Sequence, residues 1–291
     1  YQRRVRGIQM GASGCQSSHI EQQQNQLQTV QIVPQGFVPL TNVILDKYRT
    51  YAELEAAIRH VGVESIQMVV GFDFSKSNEW TGEKCYHQSL HAISAINPYL
   101  RALSVLEPLI PKFDDDGIIP AFRFGCAQSK DQQVLPLLPS QADPHFKGFE
   151  ALKQAYQMAT TQIQMSGPTT FAPMIRKAVE ICQAHGGKQL MFLLILTDGD
   201  VSNVQLDMQC LVEASQFPIS VCALGLGDGP FEKMQMFDDM PGRAFDNFQF
   251  VNFTQLEIES SRCECPDLAM ATKVFQELPE QFFAMKKLGL L

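Results

Sequence analysis

The stretch "QLMFLLILTDGD", Gln189–Asp200, decides the fold. Leu190–Leu196 is apolar at every position, with a Gly186–Gly187 pair before it and Asp-Gly after it. A strand with one wet face alternates polar and apolar residues, whereas a strand covered on both faces does not. The run is far shorter than the ~20 residues a bilayer requires. It reads as the central strand of a buried parallel sheet.

Working outward, strand and helix patterns alternate. Upstream lie a lead-in helix in "TNVILDKYRTYAELEAAIRHVG", with Tyr51, Leu54 and Ile58 at helical spacing, and a strand in "SIQMVVGFDF". Next comes a helix in "NPYLRALSVLEPLI", with Asn97 as N-cap, Pro98 at its first position, and Leu100, Leu103, Leu106 and Ile110 on one face. A strand "GIIPAFRFG", a short edge strand "QVLPLL" and two helices, "FKGFEALKQAYQMATTQI" and "FAPMIRKAVEICQAHGG", complete the approach to the central strand. Downstream follow a helix "VQLDMQCLVEASQ", strands "FPISVCALGLGDG" and "AFDNFQFVNF", and a helical Pro266–Leu288. No internal repeat is present. The expected class is α/β: a doubly wound, mostly parallel central sheet with helices on both faces, Rossmann-like in layout.

The 291 residues are 45% hydrophobic and 19% charged, as in a globular chain with a sizeable core. A net charge of -8 argues against general affinity for nucleic acid or anionic membrane. The eight cysteines are scattered, which suits a reducing compartment, and Cys263-Glu-Cys265 lacks two further ligands at zinc spacing. Residues 1–36 are polar and Gln-rich and read as a disordered tail; residues 37–291 form the domain. Within the tail, Met10 precedes "GASGCQSS". Were Met10 the start, Gly11 would be exposed for myristoylation and Cys15 for palmitoylation, although the usual pattern has Ser or Thr where Cys15 stands. The expected location is the cytoplasm, with the nucleus left open and membrane contact only through such acylation.

Polar residues collect where a doubly wound sheet binds ligands, beyond the carboxyl ends of its strands. Asp73, Ser75 and Ser77 follow the first core strand, Thr169 and Thr170 lie in "SGPTTFAP" before a helix, and Asp198 closes the central strand. Singly, each cluster is also what a helix cap or a turn looks like. Together they offer two carboxylates and, taking one of the two threonines, three hydroxyls, with no obligatory His or Cys. That donor set suits a hard cation such as Mg²⁺.

At these residues the chain resembles the von Willebrand factor A family, whose metal-ion-dependent adhesion site reads Asp-x-Ser-x-Ser, then Thr, then Asp. Asp73, Ser75, Ser77, Thr169 and Asp198 match it in order. "GFDFSKSNEWTG", "SGPTTFAPMI", "GLGDGPFEKMQMFDD" and "RAFDNFQFVNFT" resemble the copine-type branch, and Asn78–Gly82 is similar to plant-type RING ubiquitin ligases that carry a copine-like A domain. The resemblance covers about residues 40–290. It implies a divalent cation (Mg²⁺, or Mn²⁺ or Ca²⁺) whose shell is completed by an Asp or Glu of a partner protein. It also implies an interaction module without catalytic residues of its own. No segment before residue 40 is long enough for the C2 domains of copines, and no RING precedes the closing "KKLGLL". The alternative is therefore the substrate-recruiting part of a RING-type ligase whose RING lies outside this chain.

"LLILTDGDVS" also fits the haloacid dehalogenase pattern, with Asp198 as nucleophile and Asp200 as acid, so an Mg-dependent phosphohydrolase is a minor alternative. The glycines of "GLGDG" read as tight turns rather than a nucleotide loop. Trp80 and Phe74 are read either as an apolar rim or as local packing, and His87 and His91 as surface residues.

Overall fold

The structure is a computed structural model, and it describes residues 47–94 and 96–291. The tail, with Gly11 and Cys15, lies outside the described residues. The lead-in helix α1 runs Tyr51–His60, capped by the Thr50 hydroxyl, which accepts from the Glu53 amide at 3.2 Å. Strand β1 is Gln67–Asp73. Helix α2, Pro98–Leu106, begins at Asn97, whose side chain accepts from Leu100 N at 2.9 Å, as Asn-Pro predicts. Strand β2 is Ile118–Phe124 and the edge strand β3 is Leu135–Pro136. A strand the sequence does not announce, β4 (His145–Lys147), pairs antiparallel with β2 and leads into α3, Gly148–Gln162. Then come α4 (Ala172–Ala184), β5 (Met191–Thr197), α5 (Val204–Ala214) and β6 (Ile219–Gly225). The chain continues through α6 (Glu232–Asp238), β7 (Phe248–Asn252) and α7 (Phe253–Ser260). Pro266–Leu288 is helical, as its sequence suggests, and holds two helices, α8 (Pro266–Val274) and α9 (Leu278–Lys287).

The sheet order is β3-β2-β1-β5-β6-β7, with β1, β2, β5, β6 and β7 parallel and β3 and β4 antiparallel. Alternate residues of β5 feed two separate cores. Phe192, Leu194 and Leu196 pack with α1, α2, α3, α7, α8 and α9, while Met191, Leu193 and Ile195 pack with α4, α5 and α6. Every β5 residue is buried, which is why its sequence shows no alternation. The chain moves from β1 outward to β2 and then returns across β1 to β5. The strand order therefore reverses between β1 and β5, and the crevice beyond their carboxyl ends is where such a sheet accepts a ligand.

Candidate metal centre

Asp73 is the last residue of β1 and Asp198 the first after β5, so the reversal brings two carboxylates to one crevice. Both are buried. Asp73 Oδ1 accepts the Ser75 amide at 2.8 Å and Oδ2 accepts the Thr197 hydroxyl at 2.7 Å. The chain then tightens into a 3₁₀ turn, Lys76–Glu79, which turns the Ser75 and Ser77 hydroxyls to within 3.1 Å of each other. Asp198 accepts from the Thr81 hydroxyl at 3.1 Å and the Asp200 amide at 3.4 Å. Burial, and then repulsion from Asp198, raises the proton affinity of Asp73, against the hydrogen bonds from Thr197 and Ser75. Burial likewise raises that of Asp198. Two carboxylates in one dry crevice disfavour each other's ionisation.

The Thr169 hydroxyl joins them from the loop before α4. It is buried and has no hydrogen-bond partner. Gly125, at the end of β2, has φ +72, and a Cβ there would stand 2.9 Å from each of Asp73 Oδ1, Ser75 N and Thr169 Oγ1. Three polar atoms from two chain segments thus converge on a space kept open by a glycine from a third. An orphaned buried hydroxyl beside a strained carboxylate pair is what an oxygen-ligated cation would satisfy. Asp73, Ser75, Ser77, Thr169 and Asp198 fit such an ion. Among the described residues no group of three or more His, Cys, Asp or Glu side chains is arranged to hold a metal ion, so a site here depends on hydroxyls.

Thr170, the neighbour of Thr169, points elsewhere. Its hydroxyl donates to Asp207 of α5, which also accepts the Ala172 amide at 2.7 Å. The residue opening α4, Phe171, offers no side-chain cap, so Asp207 caps the helix from across the fold. Nothing in the α5 sequence marks that role. Asp200 is not paired with Asp198 as an acid and nucleophile would be. Its side chain is 63% exposed and bonded to Lys233 at 2.9 Å. Of the "GLGDG" glycines, Gly225 closes β6, whereas Gly227 and Gly229 take positive φ, and Gly227, at φ +91, lies against the Thr81 carbonyl, which a Cβ would meet at 2.4 Å.

Two surface readings fail. His91 is only 5% exposed, and its ring lies against Phe74, centroids 4.3 Å apart and planes 4° apart. The loop carrying it folds back under the Asp73–Ser77 turn, with the Leu90 amide bonded to the Asn78 carbonyl at 2.9 Å. Phe74 is buried by the same contact and forms no rim, whereas Trp80 is 51% exposed. Sequence reasoning also missed Asn78, Tyr99 and Tyr156, which are buried with His91 beneath the turn.

Comparison with known proteins follows the same lines. The copine family model matches residues 89–291. The chain belongs to the copine family. This copine domain is 40% identical over 263 residues to the E3 ubiquitin-protein ligase RGLG5 of Arabidopsis thaliana, covering 85% of this chain and 60% of the ligase. It is 34% identical over 242 residues to Copine family protein 1 of Caenorhabditis elegans, covering 82% of this chain and 22% of that one. Among solved structures it is similar to a von Willebrand factor type A protein from Catenulispora acidiphila, at 13% identity and TM-score 0.45, over 72% of this chain and 43% of that one. The copine domain thus spans little more than half of the ligase it matches. Among its described residues no helix is long and apolar enough to cross a membrane.

Proposed function

We propose that residues 37–291 form an intracellular protein-interaction module that binds a divalent cation, Mg²⁺ by preference, and captures an Asp or Glu of a partner protein. The observation that carries it is the buried, unpartnered Thr169 hydroxyl facing Asp73 across the space that Gly125 leaves open. Asp73, Ser75, Ser77, Thr169 and Asp198 would hold the ion. A divalent cation supplies a strong local positive field to an incoming carboxylate. The residues set its strength: three ligands are neutral hydroxyls, so the ion stays electrophilic toward an outside carboxylate if one of the two Asp residues bonds only through water. Trp80, exposed at the rim, would meet the apolar neighbours of that acid.

Panning a random peptide library in Mg²⁺ and eluting with EDTA tests this. Eluted peptides should share an Asp or Glu at one position and should not bind an Asp73→Ala variant. Peptides without a fixed acid, or indifferent to EDTA, would overturn it.

The similarity to RGLG5 favours a second reading, in which the same module recruits substrates for ubiquitination. Transcript sequence encoding a Cys/His-rich zinc domain beyond Leu291 would support it. An acyl anchor at Gly11 and Cys15 belongs with either reading, and intact-mass measurement of the native protein tests it.

A further inference from the structure

Beneath the Asp73–Ser77 turn lies a set of buried polar side chains whose hydrogen directions can be assigned by elimination. The Asp73 carbonyl can only accept, so His91 Nε2, 2.8 Å away, carries the hydrogen. The Tyr156 hydroxyl accepts from Asn97 Nδ2 at 3.4 Å, so its own hydrogen goes to His91 Nδ1, 2.9 Å away, which accepts. The Ser75 carbonyl, 3.2 Å from Asn78 Nδ2, fixes the orientation of the Asn78 amide. Asn78 Oδ1 therefore accepts, and its donor is the Tyr99 hydroxyl at 2.7 Å. Tyr99 also lies 3.0 Å from the Asp73 carbonyl, but its single hydrogen is needed by Asn78, and His91 already serves Asp73.

From Asn78 the order runs one way. Asn78 Nδ2 donates to Ser75 Oγ at 3.0 Å. Asn78 Nδ2 cannot accept, so the acceptor within reach of the Ser75 hydrogen is Ser77 Oγ, and Ser75 is the donor in the 3.1 Å pair. Ser75 Oγ then accepts once and donates once, Ser77 Oγ accepts once, and each keeps one lone pair uncommitted.

We propose that Asn78, held by Tyr99, is a positioning residue for cation binding: it polarises the Ser75–Ser77 pair in one direction so that both hydroxyls present a lone pair to the ion, while His91 and Tyr156 hold the Asp73 backbone. This rests on the metal-site reading of the proposed function and adds to it the residues that orient the ligands. Hydrogen-bond partners behind the ligands of a metal site change affinity by about 10–100-fold when removed.

The test is Mn²⁺ affinity and the Mn²⁺ electron paramagnetic resonance spectrum of the full chain. Wild type, Asn78→Ala and Tyr99→Phe are compared, with unfolding midpoints taken in EDTA. Asn78→Ala should weaken Mn²⁺ binding about tenfold or more and alter the spectrum. Tyr99→Phe keeps the ring packing and should weaken binding in the same direction. Both effects should exceed any change in metal-free stability. If Asn78→Ala does not fold, Tyr99→Phe decides alone. Wild-type affinity and spectrum in a folded variant would overturn the positioning role and leave the metal site standing. No Mn²⁺ binding by the wild type would overturn both.

Discussion

Asp73 and Asp198 occupy a place where a carboxylate is unfavourable unless something positive joins it. Their folded-state proton affinities lie above those of the unfolded chain. In EDTA, the folded state therefore holds more protons, and stability falls as pH rises from about 4, the ordinary Asp range, toward neutrality. Asp198→Asn removes one of the two charges. In EDTA the variant should be as stable as wild type or more so at pH 7.5, with a smaller loss between pH 5 and pH 7.5, by urea denaturation. His91, buried and neutral, acts in the opposite direction but is common to both proteins, so their difference isolates the pair. A steeper loss in the variant would contradict this.

Gly125 gives a second prediction at the same scale. Alanine there would combine a strained φ with a Cβ 2.9 Å from two site oxygens and an amide nitrogen. Gly125→Ala should cost roughly 1–3 kcal/mol of stability and abolish the rise in melting temperature with Mg²⁺. A full Mg²⁺ response would mean that the ion sits elsewhere.

At the scale of elements, the decisive contact is the one between α4 and α5. Asp207 holds Thr170 and the Ala172 amide with one oxygen, and its other carboxylate oxygen has no partner. Burial pushes its pKa up to about 6, against the hydrogen bonds from Thr170 and Ala172. A neutral side chain that keeps the accepting oxygen is therefore tolerated. Asp207→Asn should be close to neutral in stability, whereas Asp207→Ala frees the Thr169–Ala172 loop and should cost about 1–3 kcal/mol by urea denaturation. Equal effects would mean that charge, not the cap, matters. This cap was illegible because sequence rules look for a capping residue beside its own helix, and Asp207 lies 35 residues from Ala172. β4, α6 and α7 escaped for another reason. They have three, seven and eight residues, too few for a hydrophobic period to emerge.

At the scale of the whole molecule, the parallel core was readable because Leu190–Leu196 and Met68–Val70 carry burial on both faces in their composition. The order of Asp73, Thr169 and Asp198 along the chain placed the candidate ligands, because successive strand ends meet at one crevice. His91 was misread because its neighbours Gln88 and Ser89 are polar, and only the fold-back of the loop onto Asn78 buries it. An ion held only by the folded crevice must stabilise the entire domain, by about 2.7 kcal/mol at 100 times its dissociation constant. The most direct measurement is therefore the thermal unfolding midpoint in EDTA and across rising Mg²⁺ and Mn²⁺, wild type beside Asp73→Ala. The midpoint should climb with cation in the wild type and stay flat in the variant. A flat wild type, or a variant that climbs equally, would contradict a cation at Asp73 and Asp198.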